Sequence, residues 1–171
     1  MSEAQFDWTR LGDVSVGREN LGPEMPVVVY RLMQYTIMDT LVESYGREQA
    51  DEQLRRAGHR TGMALAQNAL NLSADFDQFA AHLQQTLKSL KIGILRFEDA
   101  DLENMRFMLT VDEDLDCSGL PVTGETVCIY DEGFIAGIFE AYTGKKFDVK
   151  EIDCWASGDR TCRFTANHTP A

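Results

Sequence analysis

GETVCIYDEGFIAGIFEAYTGKKFDVKEIDCWASGDRTCRF, residues 124–164, contains three of the four cysteines of this chain of 171 residues. Its first half carries apolar residues at helical spacing and is followed by Gly144, which suits a helix C-cap. Its second half predicts two strands, 146–156 and 161–167, joined by a turn around Gly158. The stretch therefore predicts a helix, from residue 123 or 124 onwards, packed beside a hairpin.

The three cysteines of this stretch are brought together if the hairpin loop has three residues centred on Gly158. Cys154 then faces Cys162 across the two strands, with the Cβ atoms about 5 Å apart. Cys128, in the first turns of the helix, could cap that face, where a helix N-terminus favours the thiolate form. Glu151 lies three residues before Cys154 and joins the same face only if a bulge or strong twist intervenes.

Three thiolates and a carboxylate suit a closed tetrahedral zinc site, which is structural rather than catalytic. Buried free thiols and a disulfide between Cys154 and Cys162 are the alternatives that spacing leaves open. The cysteine spacing contains no CxxC pair, the stronger signature of a zinc site.

The rest of the chain predicts three helices followed by two strands. Helices are expected at 27–45, at 47–70 and after the N-cap candidate Ser73, and strands at 92–97 and 105–111. Residues 1–26 are read as a polar arm with one short strand near 13–16, and residues 27–171 as one domain. With the C-terminal stretch, the order is helix-helix-helix-strand-strand-helix-strand-strand, an α+β fold with an antiparallel sheet.

Composition excludes several classes of function. A formal net charge of −12 and scattered basic residues argue against direct nucleic-acid binding. No apolar run is long enough for a membrane span, the N-terminus has no signal-peptide pattern, and the cytoplasm is the expected location. No glycine-rich nucleotide loop follows a strand. Haem would need an axial ligand such as His59 or His82, and no CxxCH motif is present.

Residues 124–164 resemble the 4-vinyl reductase domain. The shared features are a cysteine before an apolar helix with inserted glycines, then E-x-x-C, x-x-G-D and C-R-F. The family includes sensor modules of phenol- and xylene-responsive activators, a bacteriochlorophyll-biosynthesis protein and archaeal hydrocarbon-binding proteins. The resemblance implies a fold related to Golgi transport-particle subunits and haem-based nitric oxide sensors, and a homodimer.

In the phenol sensors of this family, zinc is held by a cysteine, a glutamate and two more cysteines. The resemblance assigns these roles to Cys128, Glu151, Cys154 and Cys162, and leaves Cys117 outside the set as a surface or partly buried thiol. It also implies an apolar ligand pocket beside the metal hairpin. The candidate lining residues are Phe97, Met105, Phe107, Phe134, Ile138 and Trp155. No tryptophan falls where the phenol sensors use one, which favours a more apolar ligand than phenol.

Two functions follow as expectations. The first is a cytoplasmic, zinc-stabilised domain that binds a small hydrophobic ligand, senses or carries it, and signals through a separate regulatory protein, because the chain carries neither the ATPase nor the DNA-binding domain of the activators. The second is an accessory protein or enzyme of tetrapyrrole metabolism. A reductase needs a hydride donor, and no nicotinamide or flavin fingerprint is present, so binding is favoured over catalysis.

Overall fold

The computed structural model describes residues 6–170, which divide into two compact units, one ending at Ala50 and the other running from Asp51 to the C-terminal end. The first unit contains a 3-10 helix (Trp8–Leu11), α1 (Val14–Gly17) and α2 (Val27–Tyr45). The predicted arm and domain boundary at residue 26 stays a prediction. Within the described residues, no helix is both long and apolar enough to cross a lipid bilayer.

The short strand predicted near 13–16 is wrong, because these residues form α1. Asp13 is its N-cap, and one carboxylate oxygen accepts hydrogen bonds from the backbone N–H groups of Ser15 at 3.0 Å and Val16 at 3.4 Å. An aspartate that satisfies two free N–H groups starts a helical turn even among β-branched residues. Residues 1–5 of the predicted arm lie outside the described residues.

The second unit contains the sheet and the helices packed on it. Helix α3 begins before the unit boundary. The elements are α3 (Arg47–Ala69), α4 (Phe76–Ser89), β1 (Ile94–Asp101), β2 (Arg106–Asp112), α5 (Ile129–Thr143), β3 (Phe147–Asp153) and β4 (Cys162–His168). All neighbouring strands are antiparallel, in the order β1-β2-β4-β3. The predicted α+β class and the order of the main elements are confirmed, with the 3-10 helix and α1 as additions.

Several element boundaries differ from the prediction. Strand β1 continues beyond Phe97 through the acidic residues expected to form a loop, with a bulge between Phe97 and Asp99. The N-cap of α4 is Asp75 instead of Ser73, because the Asp75 carboxylate accepts the Gln78 N–H at 2.9 Å. Helix α5 begins at Ile129, so Cys128 is its N-cap residue and not part of its first turns.

Glycines let α3 and α5 approach closely. A Cβ placed on Gly58 or Gly62 would overlap the backbone of α5, and one on Gly133 or Gly137 would overlap the backbone of α3. Two glycines four residues apart lie on one face of a helix, so the pairs meet face to face. Close helix packing therefore accounts for the small residues of α3.

Aromatic rings fill the core between α4, α5 and the sheet. The rings of Phe107 and Phe139 stack with centroids 4.5 Å apart, and those of Phe79 and Tyr142 stack at 3.8 Å. Phe139 is 1% exposed and also contacts Phe97 and Phe147. The α5 face that carries Phe139 is thereby fixed against the sheet, with Cys128 at the start of the same helix.

Candidate metal centre and ligand cavity

Four cysteines meet inside the second unit. Cys117 lies in a turn after β2, Cys128 caps α5, Cys154 directly follows β3, and Cys162 is the first residue of β4. None is more than 1% exposed, and all four are free thiols. The four Sγ atoms lie within 4.8 Å of one another.

Two of the Sγ–Sγ distances fit a shared tetrahedral ion, and the third is shorter. They are 3.8 Å between Cys128 and Cys154, 3.9 Å between Cys128 and Cys162, and 3.1 Å between Cys117 and Cys162. Zinc bonds thiolate sulfur at about 2.3 Å, so sulfurs around one tetrahedral zinc are about 3.8 Å apart. The cluster has the donor atoms of a structural zinc centre, and the distances from Cys128 to Cys154 and Cys162 match the spacing of one.

The thiols control one another's ionisation. Hydrogen bonds from neighbouring thiols, that of Cys117 first, hold the pKa of Cys154 below the ordinary thiol value. The thiols of Cys117, Cys154 and Cys162, Cys117 first, raise the pKa of Cys128, and those of Cys117 and Cys154 raise the pKa of Cys162. A bound cation would stabilise the negative charge of several thiolates packed this closely.

The structure brings Cys128, Cys154 and Cys162 of the predicted set together and adds Cys117. The expectation of a surface or partly buried Cys117 is wrong, because its exposure is 0%. The Asp114 carboxylate accepts the N–H groups of Asp116 at 2.8 Å and Cys117 at 3.3 Å, which folds the turn inward. In the sequence, the acidic residues of this segment are typical of a solvent-exposed loop. The signal that could have indicated the burial of Cys117 was the presence of a fourth cysteine shortly after a predicted strand.

The connection between β3 and β4 is longer than predicted. Asp153 pairs with Arg163, which is the predicted register, but β3 ends there and residues 154–161 form the connection. Cys154 begins this connection, and its carbonyl accepts the N–H groups of Ser157 at 3.1 Å and Asp159 at 3.0 Å. The bulge that Glu151 required is present between Glu151 and Asp153.

Glu151 lies beside the cluster and contacts the backbone of Cys128. Its Oε2 accepts the Cys128 N–H at 3.0 Å, whereas Oε1 is buried without a hydrogen-bond partner among residues 6–170. Burial raises the pKa of Glu151 to about 8. The Glu151 N–H in turn donates to Glu132 at 3.1 Å, and Glu132 pairs with Arg55 at 2.7 Å.

A partly open apolar cavity lies between α4, α5 and the first two strands. Its volume is about 30 Å³, and its lining is apolar apart from Asp114 and Asp131. Of the six predicted lining residues, Phe97, Phe134 and Ile138 line it, whereas Met105, Phe107 and Trp155 do not. The Trp155 indole N–H instead donates to the Leu120 carbonyl at 3.0 Å. The other lining residues are Leu83, Leu87, Ile92, Leu95, Leu109, Val111, Ile135 and Phe139.

The two carboxyl groups form a polar end of this cavity next to the cysteines. Asp114 and Asp131 each place an oxygen within 4.8 Å of the Cys128 Sγ. Burial first, and then the Asp116 charge, raises the pKa of Asp114 to about 7, and the same two causes raise that of Asp131 well above its usual range. Asp131 Oδ2 has no hydrogen-bond partner within the described chain.

A second, more open cleft of about 220 Å³ lies between α3, α5 and β3. Two of its basic side chains are already paired. Arg55 bonds Glu132 at 2.7 Å, and His59 bonds Glu140 at 2.8 Å. The apolar cavity is the better site for a hydrophobic ligand. His82 lies at neither site.

Residues 107–168 match the family model of the 4-vinyl reductase domain. This span covers β2, α5, β3 and β4, and includes all four cysteines. The predicted resemblance to this family is confirmed for this span. Two relatives from Methanocaldococcus jannaschii also match, MJ0150 at 28% identity over 62% of this chain and MJ1642 at 40% over 29%. The matches span 60% of MJ0150 and 31% of MJ1642.

Solved structures share the fold of this chain at low sequence identity. The phenol-responsive sensory domain of the transcription activator PoxR, solved with phenol, has a TM-score of 0.69 at 16% identity over 86% of this chain and 76% of its own. A vinyl-4-reductase family protein from M. jannaschii has a TM-score of 0.66 at 16% identity over 99% of both chains. A transport-particle subunit from Naegleria fowleri, at 0.66 and 13% identity over 84% of this chain and 95% of its own, confirms the predicted fold relation.

Proposed function

We propose that this chain binds a small, largely apolar ligand in the cavity between α4, α5 and the sheet, and senses or carries it. The observation that carries the proposal is the cavity itself, which is lined by apolar side chains apart from Asp114 and Asp131. PoxR, whose sensory domain was solved with phenol, has the same fold and supports a ligand-binding role. A porphyrin-like macrocycle would need a far larger expansion of this cavity of about 30 Å³ than a small molecule would, so the tetrapyrrole function is disfavoured.

Ligand binding must widen the cavity. Its volume is about 30 Å³, whereas pockets that enclose small molecules typically measure roughly 300–1,000 Å³. A ligand therefore displaces side chains of α4 or α5, and the bound and free domains differ in packing. A change of this kind is what a sensor passes to a separate regulatory partner.

The unpartnered Asp131 oxygen favours a ligand with one hydrogen-bonding group. A hydroxyl at the polar end of the cavity would satisfy Oδ2, which is otherwise buried without a partner among the described residues. The remaining lining is apolar and suits a hydrocarbon body. The proposed ligand class is thus a small hydrocarbon or aromatic molecule with a single hydroxyl or similar group.

Zinc in the cysteine cluster is the second part of the proposal. Its role would be structural, because it would tie α5 to β4 and to the turns that follow β2 and β3, and metal binding would add to the folding free energy. Four reduced thiols in contact suit the cytoplasm, where disulfides are rare.

A homodimer is the third part of the proposal. Helix α2 has no buried residue and exposes Val28, Val29, Leu32, Met33 and Ile37. Exposed apolar residues that cluster on one helix suit an interface, and a second copy of the chain is the proposed partner.

The ligand proposal is tested with a matched pair of variants on α4. Leu87→Phe fills the cavity, whereas Leu90→Phe adds the same volume at a residue that is 51% exposed. Methyl NMR shifts of the protein are measured with phenol, p-cresol and toluene as probes. We expect shifts of the lining methyl groups in the parent and in Leu90→Phe, and none in Leu87→Phe.

Asp131→Leu tests the polar end, and it should weaken binding of p-cresol more than binding of toluene. Native mass spectrometry of protein purified from cells, with and without denaturation, looks for a co-purified ligand. The proposal fails if no probe shifts a lining methyl group and no ligand co-purifies.

A further inference from the structure

The turn after β2 places Cys117 where a fourth zinc ligand is needed. The Cys117 Sγ lies 3.1 Å from the Cys162 Sγ and within 4.8 Å of the other two. The turn is fixed by the Asp114 carboxylate and by the Leu115 N–H, which donates to the Ile92 carbonyl at 2.9 Å. Cys117 is therefore held inward by hydrogen bonds within its turn and by the bond from the turn to Ile92.

One oxygen of Glu151 is engaged by the backbone, and the other, Oε1, is buried without a hydrogen-bond partner among residues 6–170. Its Oε2 accepts the backbone N–H of Cys128 at 3.0 Å, which holds the N-cap residue of α5 in position. The group of mutually close ligand atoms around the thiols consists of the four cysteines and does not include Glu151. Four sulfurs complete a tetrahedral shell, so a carboxylate has no vacant position to fill.

We propose that Cys117, and not Glu151, is the fourth zinc ligand in this chain, with Cys128, Cys154 and Cys162 as the other three. Glu151 is then a positioning residue that orients Cys128 through its backbone. The inference rests on the metal binding proposed above, and it departs from the ligand set that the family resemblance implies. Each thiol that binds the ion loses its proton.

X-ray absorption at the zinc edge of the purified full chain tests the coordination directly. We expect four sulfur neighbours at about 2.3 Å and no oxygen neighbour at about 2.0–2.2 Å. Three sulfurs with one oxygen would overturn the inference while leaving zinc binding intact. A chain purified without zinc, which also takes up none when the ion is added, would overturn both the inference and the proposed metal, but not the ligand proposal.

Two variants separate a ligand from a positioning residue. Glu151→Gln keeps a carbonyl oxygen for the Cys128 N–H, so we expect zinc affinity to fall by no more than about 10-fold. Cys117→Ser should cause a larger loss, and any zinc it retains should have one sulfur neighbour fewer than in the parent chain. Unchanged zinc affinity and an unchanged number of sulfur neighbours in Cys117→Ser, or a larger loss in Glu151→Gln, would contradict the proposal. If Cys117→Ser fails to fold, the absorption spectrum of the parent chain still decides.

Discussion

Phe139 is a central side chain of the aromatic core. It is 1% exposed and contacts the rings of Phe97, Phe107 and Phe147. We expect Phe139→Ala to lower the free energy of unfolding by about 3–5 kcal/mol, because it removes buried apolar surface and leaves a cavity. Chemical denaturation measures the loss. Phe6→Ala, at a side chain that is 42% exposed, is the control and should change stability by no more than about 0.5 kcal/mol.

Asp101 links stability to pH at the turn between β1 and β2. The Asn104 backbone N–H at 2.9 Å, then the Asn104 side chain and Arg106, lower the pKa of Asp101 from 3.8 to about 2. A folded-state pKa below the unfolded value means that this carboxylate stabilises the fold above pH 3.8 and loses that effect as pH falls towards 2.

Asp101→Asn should therefore lower the thermal midpoint near pH 6, and the difference from the parent should close between pH 3.8 and 2. Thermal unfolding across this range is the measurement. Carboxyl NMR titration gives an independent result, and a midpoint near 3.8 in the folded protein would contradict the expectation.

The sequence was sufficient to predict three of the four members of the cysteine cluster, but not the fourth. The meeting of Cys128, Cys154 and Cys162 follows from local hairpin and helix patterns, and the resemblance points to the same three residues. Cys117 was missed because its burial depends on contacts outside its segment, above all the hydrogen bond from Leu115 to Ile92. Asp114 and Asp116 are only 4% and 3% exposed. Because acidic side chains usually lie on the surface, the composition of this turn does not indicate that it is buried.

Helices α3 and α5 cross so closely that there is no room for a Cβ atom at the four glycines between them. A Cβ on Gly137 would overlap the His59 carbonyl oxygen, and neither backbone can move without disturbing the whole crossing. We expect Gly137→Ala to lower the free energy of unfolding by about 1–3 kcal/mol through overpacking. Gly17→Ala is the matched control, because a Cβ there has nothing within 4 Å. Equal stability of the two variants in chemical denaturation would argue against the close crossing.

The type and order of the elements could be predicted from the sequence more fully than their ends. Helical and alternating periodicities identified α2 to α5 and all four strands. The end of β1 was missed because residues 98–101 are acidic and mostly exposed, and a bulge after Phe97 keeps them paired with β2. The start of α5 was placed too early because no local signal marks Cys128 as its cap.

Self-association is the prediction that concerns the whole molecule. If α2 forms the proposed dimer interface, Leu32→Asp should convert a dimer into a monomer, because it places a charge in an apolar contact. Leu32 is 62% exposed in the single chain, so folding should tolerate the change. Ser44→Asp adds the same charge at another exposed position of α2 and should leave the dimer intact. Light scattering coupled to gel filtration measures the mass, and a parent chain that is already monomeric would contradict the proposal.

Strand β4 is the final strand in sequence, yet it occupies an interior place in the sheet between β2 and β3. During synthesis, β2 and β3 therefore have no shared neighbour until residues 162–168 leave the ribosome. Cys162 arrives with the same strand, at its first position. The nascent chain thus cannot complete its sheet or its thiol cluster early, and metal capture would mark the moment at which the domain has finished folding.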